Sequence, residues 1–164
     1  MPQPGPFDRY DAQLTTPGLV VLEMVAQDRT DAARQLAERL EAEGRIDDLA
    51  AFLADVGARE HQLATGLPGG IGLPHARSVH VTRPSIAVGV AKYGHPVDFG
   101  AADGPAHVVL LIATPASSYS DHLEVLATLA RSLSKDGFRE SLRRAGDAGI
   151  ISELINSSLV FADH

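Results

Sequence analysis

VVLLIA, residues 108–113, is six apolar residues in a row, and its reading decides the fold. A half-buried strand alternates apolar and polar side chains. An unbroken run this short is expected of a strand buried on both faces. Thr114-Pro115 ends it. Upstream lies KYGHPVDFGAADGPAH, a loop with turn signals at Gly94-His95-Pro96 and Asp103-Gly104-Pro105. Before that, Ser85 to Lys92 alternates partly and reads as a second strand.

Helical periodicity occupies most of the remainder. Gly18 to Ala26 is short, apolar and β-branched, so it reads as a strand. Asp28 or Thr30 then caps a helix with the stripe Ala33, Leu36, Ala37 and Leu40, which Gly44 stops. A second helix starts near Asp47 and carries Leu49, Phe52, Leu53 and Val56, with Arg59 and Glu60 at or just beyond its end. A third runs from about Asp121 to Ser134 with Leu123, Leu126, Ala130 and Leu133 facing inward. Phe138 to Ala145 reads as a shorter helix. Asp147 caps a last one that buries Ile150, Ile151, Leu154 and Ile155. Strands interleaved with helices give an α/β domain.

The bulk numbers narrow the function. The 164 residues suit one domain, 45% of them hydrophobic, with a formal charge of −7. That balance argues against nucleic acid as a partner, because a basic surface normally supplies most of that binding energy. Cysteine is absent, which removes disulfides, thiolate catalysis and Cys-based zinc sites. No apolar run approaches the roughly 20 residues of a spanning helix, and MPQPGPFDRYD has no apolar signal core. A cytoplasmic location and no membrane insertion are expected. Residues 1–14, rich in Pro and Gly, are expected to be a flexible tail before a domain spanning 15–164.

Seven histidines occur, and two stand out by context. His75 ends TGLPGGIGLPH, residues 65–75. Pro74 fixes φ, and the glycines let a backbone or a phosphate come close. Such a setting would hold an imidazole rigidly at a surface edge; a tight turn with an incidental histidine fits the same composition. His122 falls near the first turn of the third helix, where free N–H groups favour an anion, though Ser120 or Asp121 can simply cap it. Arg59 is the third candidate, since a guanidinium offers forked donors to a phosphoryl group; an exposed arginine at a helix end is the plainer alternative. GLPGGIG lacks the GK[ST] ending of a P-loop and does not fit G-x-G-x-x-G. No G-x-S-x-G occurs, and His75 and His80 lack an H-E-x-x-H pattern.

Taken together, REHQLATGLPGGIGLPHARS, DGPAHVVLLIATP and DHLEVLATLARSL resemble the enzyme IIA domain, fructose/mannitol type, of the bacterial phosphoenolpyruvate-dependent sugar phosphotransferase system. The resemblance covers about residues 18–157. It implies a single α/β domain with a mixed, mostly parallel sheet flanked by helices, acting as a phosphohistidine carrier without cofactor or metal. By position, His75 is the phosphorylated residue through Nε2, His122 the second active-site histidine and Arg59 the nearby cation. Thr65 and Gly66 match the family's Thr-Gly pair and would support phosphate binding. The implied partners are HPr as donor, a IIB component as acceptor, and through IIB a IIC membrane permease. A site visited by two proteins in turn is expected to be shallow and exposed. Gly72-Leu73 replaces the usual Ala-Ile, which predicts looser packing behind the site. The resemblance also admits a regulatory, nitrogen-type paralogue whose phosphorylation controls protein partners, and a non-catalytic interaction module of the same fold.

Overall fold

The structure is a computed structural model and describes residues 13–160. The predicted tail therefore lies outside the described residues except for Gln13 and Leu14. Leu14 is buried in the core, and its carbonyl accepts from the Ile86 amide at 2.8 Å. The packed part thus includes it.

The six-residue apolar run forms the centre of the sheet. Strand β6, Val108–Pro115, takes in Thr114 and Pro115 as well. The other strands are β1 (Val20–Met24), β2 (Gly66–Leu67), β3 (Ile71–Gly72), β4 (His75–Ser78) and β5 (Ser85–Ala91). The order is β1-β5-β6-β3-β2, and β4 also pairs with β6. Two short strands thus share one side of β6. β3 runs beside Val108 and Val109, and β4 beside Ile112 to Pro115. Three ladders are parallel, β1·β5, β3·β6 and β4·β6, and β5·β6 and β2·β3 are antiparallel. The mixed, mostly parallel sheet is as expected.

Helices cover both faces, which is why β6 needs no polar alternation. Val109, Leu111 and Ala113 pack with helices α1 (Arg29–Ala42) and α2 (Leu49–Gln62). Val108, Leu110 and Ile112 pack with α3 (Tyr119–Leu133), α4 (Asp136–Arg144) and α5 (Ala148–Val160). Each buried Leu or Ile contributes about 1.5–3 kcal/mol.

The helix ends follow their sequence signals. The Asp28 carboxylate accepts from the Asp31 amide at 2.8 Å and caps α1. Gly44 (φ 71°) ends it: its N–H bonds the Glu41 carbonyl, and the Arg45 N–H bonds the Leu40 carbonyl. Asp147 caps α5 through the Ile150 amide at 3.0 Å.

Several expectations need correction. The first strand is shorter than 18–26, because Pro17–Leu19 forms a 3-10 turn ahead of Val20. Asp48, not Asp47, caps α2, which runs past Arg59 and Glu60 to Gln62. Both residues therefore sit in its last turn. α4 begins at Asp136, two residues before Phe138. The inward stripe of α3 is His122, Val125, Leu129 and Leu133, leaving Leu123 about half exposed and Ala130 exposed. In α5 the buried side is Ile151, Ser152, Ile155 and Leu159, and Ile150 faces out.

Candidate active site

The glycine-rich stretch is not a loop around a histidine. β2 and β3 form a hairpin whose turn places Gly69 and Gly70 at φ 92° and 80°, a region closed to most side chains. A Cβ on Gly70 would also lie 2.9 Å from the His107 ring. The chain leaves β3, bends through Leu73-Pro74 and rejoins β6 as β4, with His75 as its first residue opposite Ile112. The Pro74 carbonyl accepts from the Ile112 amide, and the Leu73 amide donates to the Thr65 carbonyl. His75 thus starts an edge strand held on both sides of the bend. The predicted loosening at Gly72 does not occur: a Cβ there would lie 2.6 Å from the Phe99 ring, which fills the space.

His75, His122 and Arg59 come together from β4, α3 and α2. The two imidazole centroids are 5.5 Å apart, with planes tilted by 47°. Arg59 Nε donates to His75 Nε2 at 3.2 Å, and its Nη1 donates to Gln62 Oε1 at 3.3 Å. His75 Nδ1 lies 2.8 Å from the Leu73 carbonyl. A carbonyl only accepts, so Nδ1 carries the proton and the Nε2 lone pair points to Arg59. His122 Nδ1 lies 2.5 Å from the hydroxyl of Thr114, a fully buried residue at the end of β6. With that hydroxyl donating, the proton of His122 sits on Nε2.

The expected exposure is corrected here. Both rings belong to residues only 8% accessible. They form the wall of an open cleft of about 500 Å³, lined also by Asp55, Ala58, Gln62, Arg77, Leu123 and Leu126. Burial lowers the pKa of His75; the Leu73 carbonyl opposes this, Arg59 adds to it and Glu60 opposes it. Burial, then the charges of His75, Arg77 and Arg59, push His122 down to about 4. Both rings are therefore neutral at neutral pH, as a nitrogen nucleophile requires.

Thr65 and Gly66 do not line the cleft. Thr65 donates its amide and hydroxyl to the Glu60 carboxylate at 2.9 and 2.6 Å. Gly66 is pressed against the 99–101 backbone, where a Cβ would lie 2.6 Å from the Ala101 nitrogen. Sequence reasoning missed Thr114, Asp55, Arg77 and the inner role of Glu60. Thr114 left a trace as the one polar residue closing an apolar strand. Asp55, one turn before Arg59, left none beyond helical spacing. Among the described residues, no group of three His, Asp or Glu side chains could hold a metal ion.

A covered α/β sheet here brings two imidazoles and a guanidinium to one cleft, a set of groups that can hold and pass a phosphoryl group. The chain belongs to the family described as "Phosphoenolpyruvate-dependent sugar phosphotransferase system, EIIA 2", whose match spans residues 13–158. It is 33% identical over 151 residues to the fructose-specific EIIA component of Haloferax volcanii, covering 91% of this chain and 97% of that protein. It is 32% identical over 145 residues to the fructose-specific EIIABC component of Bacillus subtilis, covering 88% of this chain but only 22% of that protein. The chain thus spans about a fifth of that larger relative. Among solved structures it is similar to the nitrogen regulatory protein IIA-Ntr of Neisseria meningitidis, with TM-score 0.78 and 28% identity over 87% of this chain and 96% of that one.

Proposed function

We propose that the protein is a phosphohistidine carrier that takes a phosphoryl group from HPr and passes it to a IIB component for uptake of a sugar of the fructose/mannitol class. The observation that carries the reading is the fixed tautomer of His75: Nδ1–H on the Leu73 carbonyl, Nε2 unprotonated beside Arg59 at the cleft. In the first transfer the Nε2 lone pair forms a P–N bond as the P–N bond of the donor phosphohistidine breaks, and that electron pair returns to the donor ring. The loose transition state asks for positioning and charge. Arg59 leaves the lone pair and turns its donors to the phosphoryl oxygens, and His122 offers Nε2–H. In the second transfer a partner's cysteine thiolate attacks phosphorus, a P–S bond forms, and the electron pair of the P–N bond returns to Nε2. The thiolate belongs to the partner, because this chain has no cysteine. The half-exposed Leu123 at the cleft rim suits protein docking. Such a carrier works in the cytoplasm and meets the membrane only through IIB and IIC. In the described residues no helix is long and apolar enough to cross a membrane.

Incubation with phosphoenolpyruvate, enzyme I and HPr should give an acid-labile, base-stable phosphoprotein. Absence of label, or label retained in His75→Ala, overturns the reading. The likeness to the Neisseria nitrogen regulatory protein supports a second output, in which the phosphorylation state of the same histidine tunes protein partners. Restored sugar uptake in a strain lacking its IIA separates transport from regulation.

A further inference from the structure

Arg59 and Glu60 are neighbours in the last turn of α2, yet only Arg59 reaches the cleft. The Glu60 side chain is 13% exposed and holds three donors. Oε2 accepts from the Thr65 amide at 2.9 Å and from Arg29 Nη1 at 3.1 Å; Oε1 accepts from the Thr65 hydroxyl at 2.6 Å. A carboxylate is the side chain that can accept all three at once. Clamping both amide and hydroxyl fixes the Thr65 Cα and the peptide before it, and the Gly66 amide, donating to the Phe99 carbonyl at 2.9 Å, holds the next peptide, which carries the Thr65 carbonyl. That carbonyl takes the Leu73 N–H at 3.1 Å. The Leu73 carbonyl, in turn, takes the Nδ1–H of His75 at 2.8 Å. Pro74, lying between, has no N–H to divert the bend. Arg29 also packs over Phe99, whose ring backs Gly72.

We infer that Glu60 is a positioning residue: by clamping Thr65 it sets the Leu73 carbonyl that keeps the proton of His75 on Nδ1 and leaves Nε2 as the nucleophile. This rests on His75 being the phosphoryl acceptor. An imidazole free in water samples both tautomers, and only the unprotonated nitrogen attacks. A ring that can turn or exchange its proton presents Nε2 part of the time. The carboxylate's charge acts in the same sense, since Glu60 favours the positive charge that the ring acquires once Nε2 is phosphorylated. A wholly structural role would tie α2 to residue 65 without reaching the ring.

The test uses the full chain, labelled with 15N-histidine, at pH about 8, where both rings are neutral. Long-range 1H–15N spectra of the wild type should show His75 with Nδ1 protonated and Nε2 bare. In Glu60→Gln the two nitrogen shifts of His75 should move toward each other as tautomers mix, with those of His122 nearly unchanged. Single-turnover acceptance from phospho-HPr should fall roughly 10- to 100-fold. Wild-type His75 shifts in the folded variant overturn the inference, whether or not transfer slows. Should Glu60→Gln not fold, Thr65→Val decides. It removes only the hydroxyl bond and should give a smaller change of the same kind, and an unchanged His75 spectrum again overturns the inference. The spectra need no phosphoryl donor, so a wild type that accepts no label would defeat the carrier reading while leaving Glu60 to be judged on its own.

Discussion

Phosphorylating His75 should make His122 a much stronger base. In the free protein, burial and neighbouring positive charge hold His122 at a pKa of about 4. A phosphoryl group on His75 brings negative charge to a ring whose centroid is 5.5 Å away. At that separation and an effective dielectric constant of about 20, each unit of charge is worth roughly 3 kcal/mol, which moves the titration by roughly two on the pH scale. The direction is upward, because a nearby anion favours imidazolium. By reciprocity, a proton on His122 stabilises the phosphorylated carrier by the same amount. The second imidazole is then neutral in the free carrier and takes up a proton more readily once there is an anion beside it. The assay is the Cε1–H chemical shift of His122 followed against pH, before and after enzymatic phosphorylation, within the lifetime of the phosphoprotein. A midpoint that stays put or falls on phosphorylation would refute both the geometry and the role given to His122.

Four other outcomes are expected. Because folding lowers the pKa of His122, it favours the neutral ring. The associated stability is complete above the unfolded value of 6.5 and is lost as pH falls toward about 4, by up to about 3 kcal/mol; His122→Gln should flatten that part of the curve in urea unfolding. Arg59→Lys should slow phosphoryl acceptance in rapid-quench kinetics, because an ammonium lacks the planar fork of donors that can turn from Nε2 to the phosphoryl oxygens. Gly70→Ala should cost about 1–3 kcal/mol, since φ is 80° and the His107 ring stands 2.9 Å from the new Cβ; an unchanged Tm would show that the turn relaxes freely. Asp28→Ala should cost about 1 kcal/mol by chemical denaturation, through loss of the cap on α1.

The elements were legible where local physics decides them. Asp28, Gly44 and Asp147 punctuate helices as their side chains or lack of one require. The run 108–113 announced a strand covered on both faces, and the alternation of Val109, Leu111 and Ala113 against Val108, Leu110 and Ile112 shows why no polar residue was needed. The pairing of β3 and β4 end to end along β6 was not legible. Each is too short to carry a period, and their registration depends on a bend at Leu73-Pro74 whose bonds go to Thr65 and Ile112. The exposure of His75 was misjudged for the same reason. A Gly/Pro-rich sequence reads as surface turn, but here it is the means by which an edge strand is laid against the sheet.

The misread phase of α3 has a local physical origin. Leucines at 123, 126 and 133 invite a stripe through Leu123, yet the helix is rotated so that His122 occupies the buried position. A neutral imidazole tolerates that place because Thr114 supplies a polar partner at the end of an otherwise apolar strand. Two local rules are thus broken at one point: a polar residue ends the core strand, and a histidine opens the core stripe of a helix. Each would be a cost alone. Joined, they satisfy each other and leave Nε2 of His122 to the cleft, while Leu123 is released to its rim. Conflict between apolar pattern and burial is expected where a fold serves chemistry. In this chain it falls on the helix turn that faces His75 across 5.5 Å.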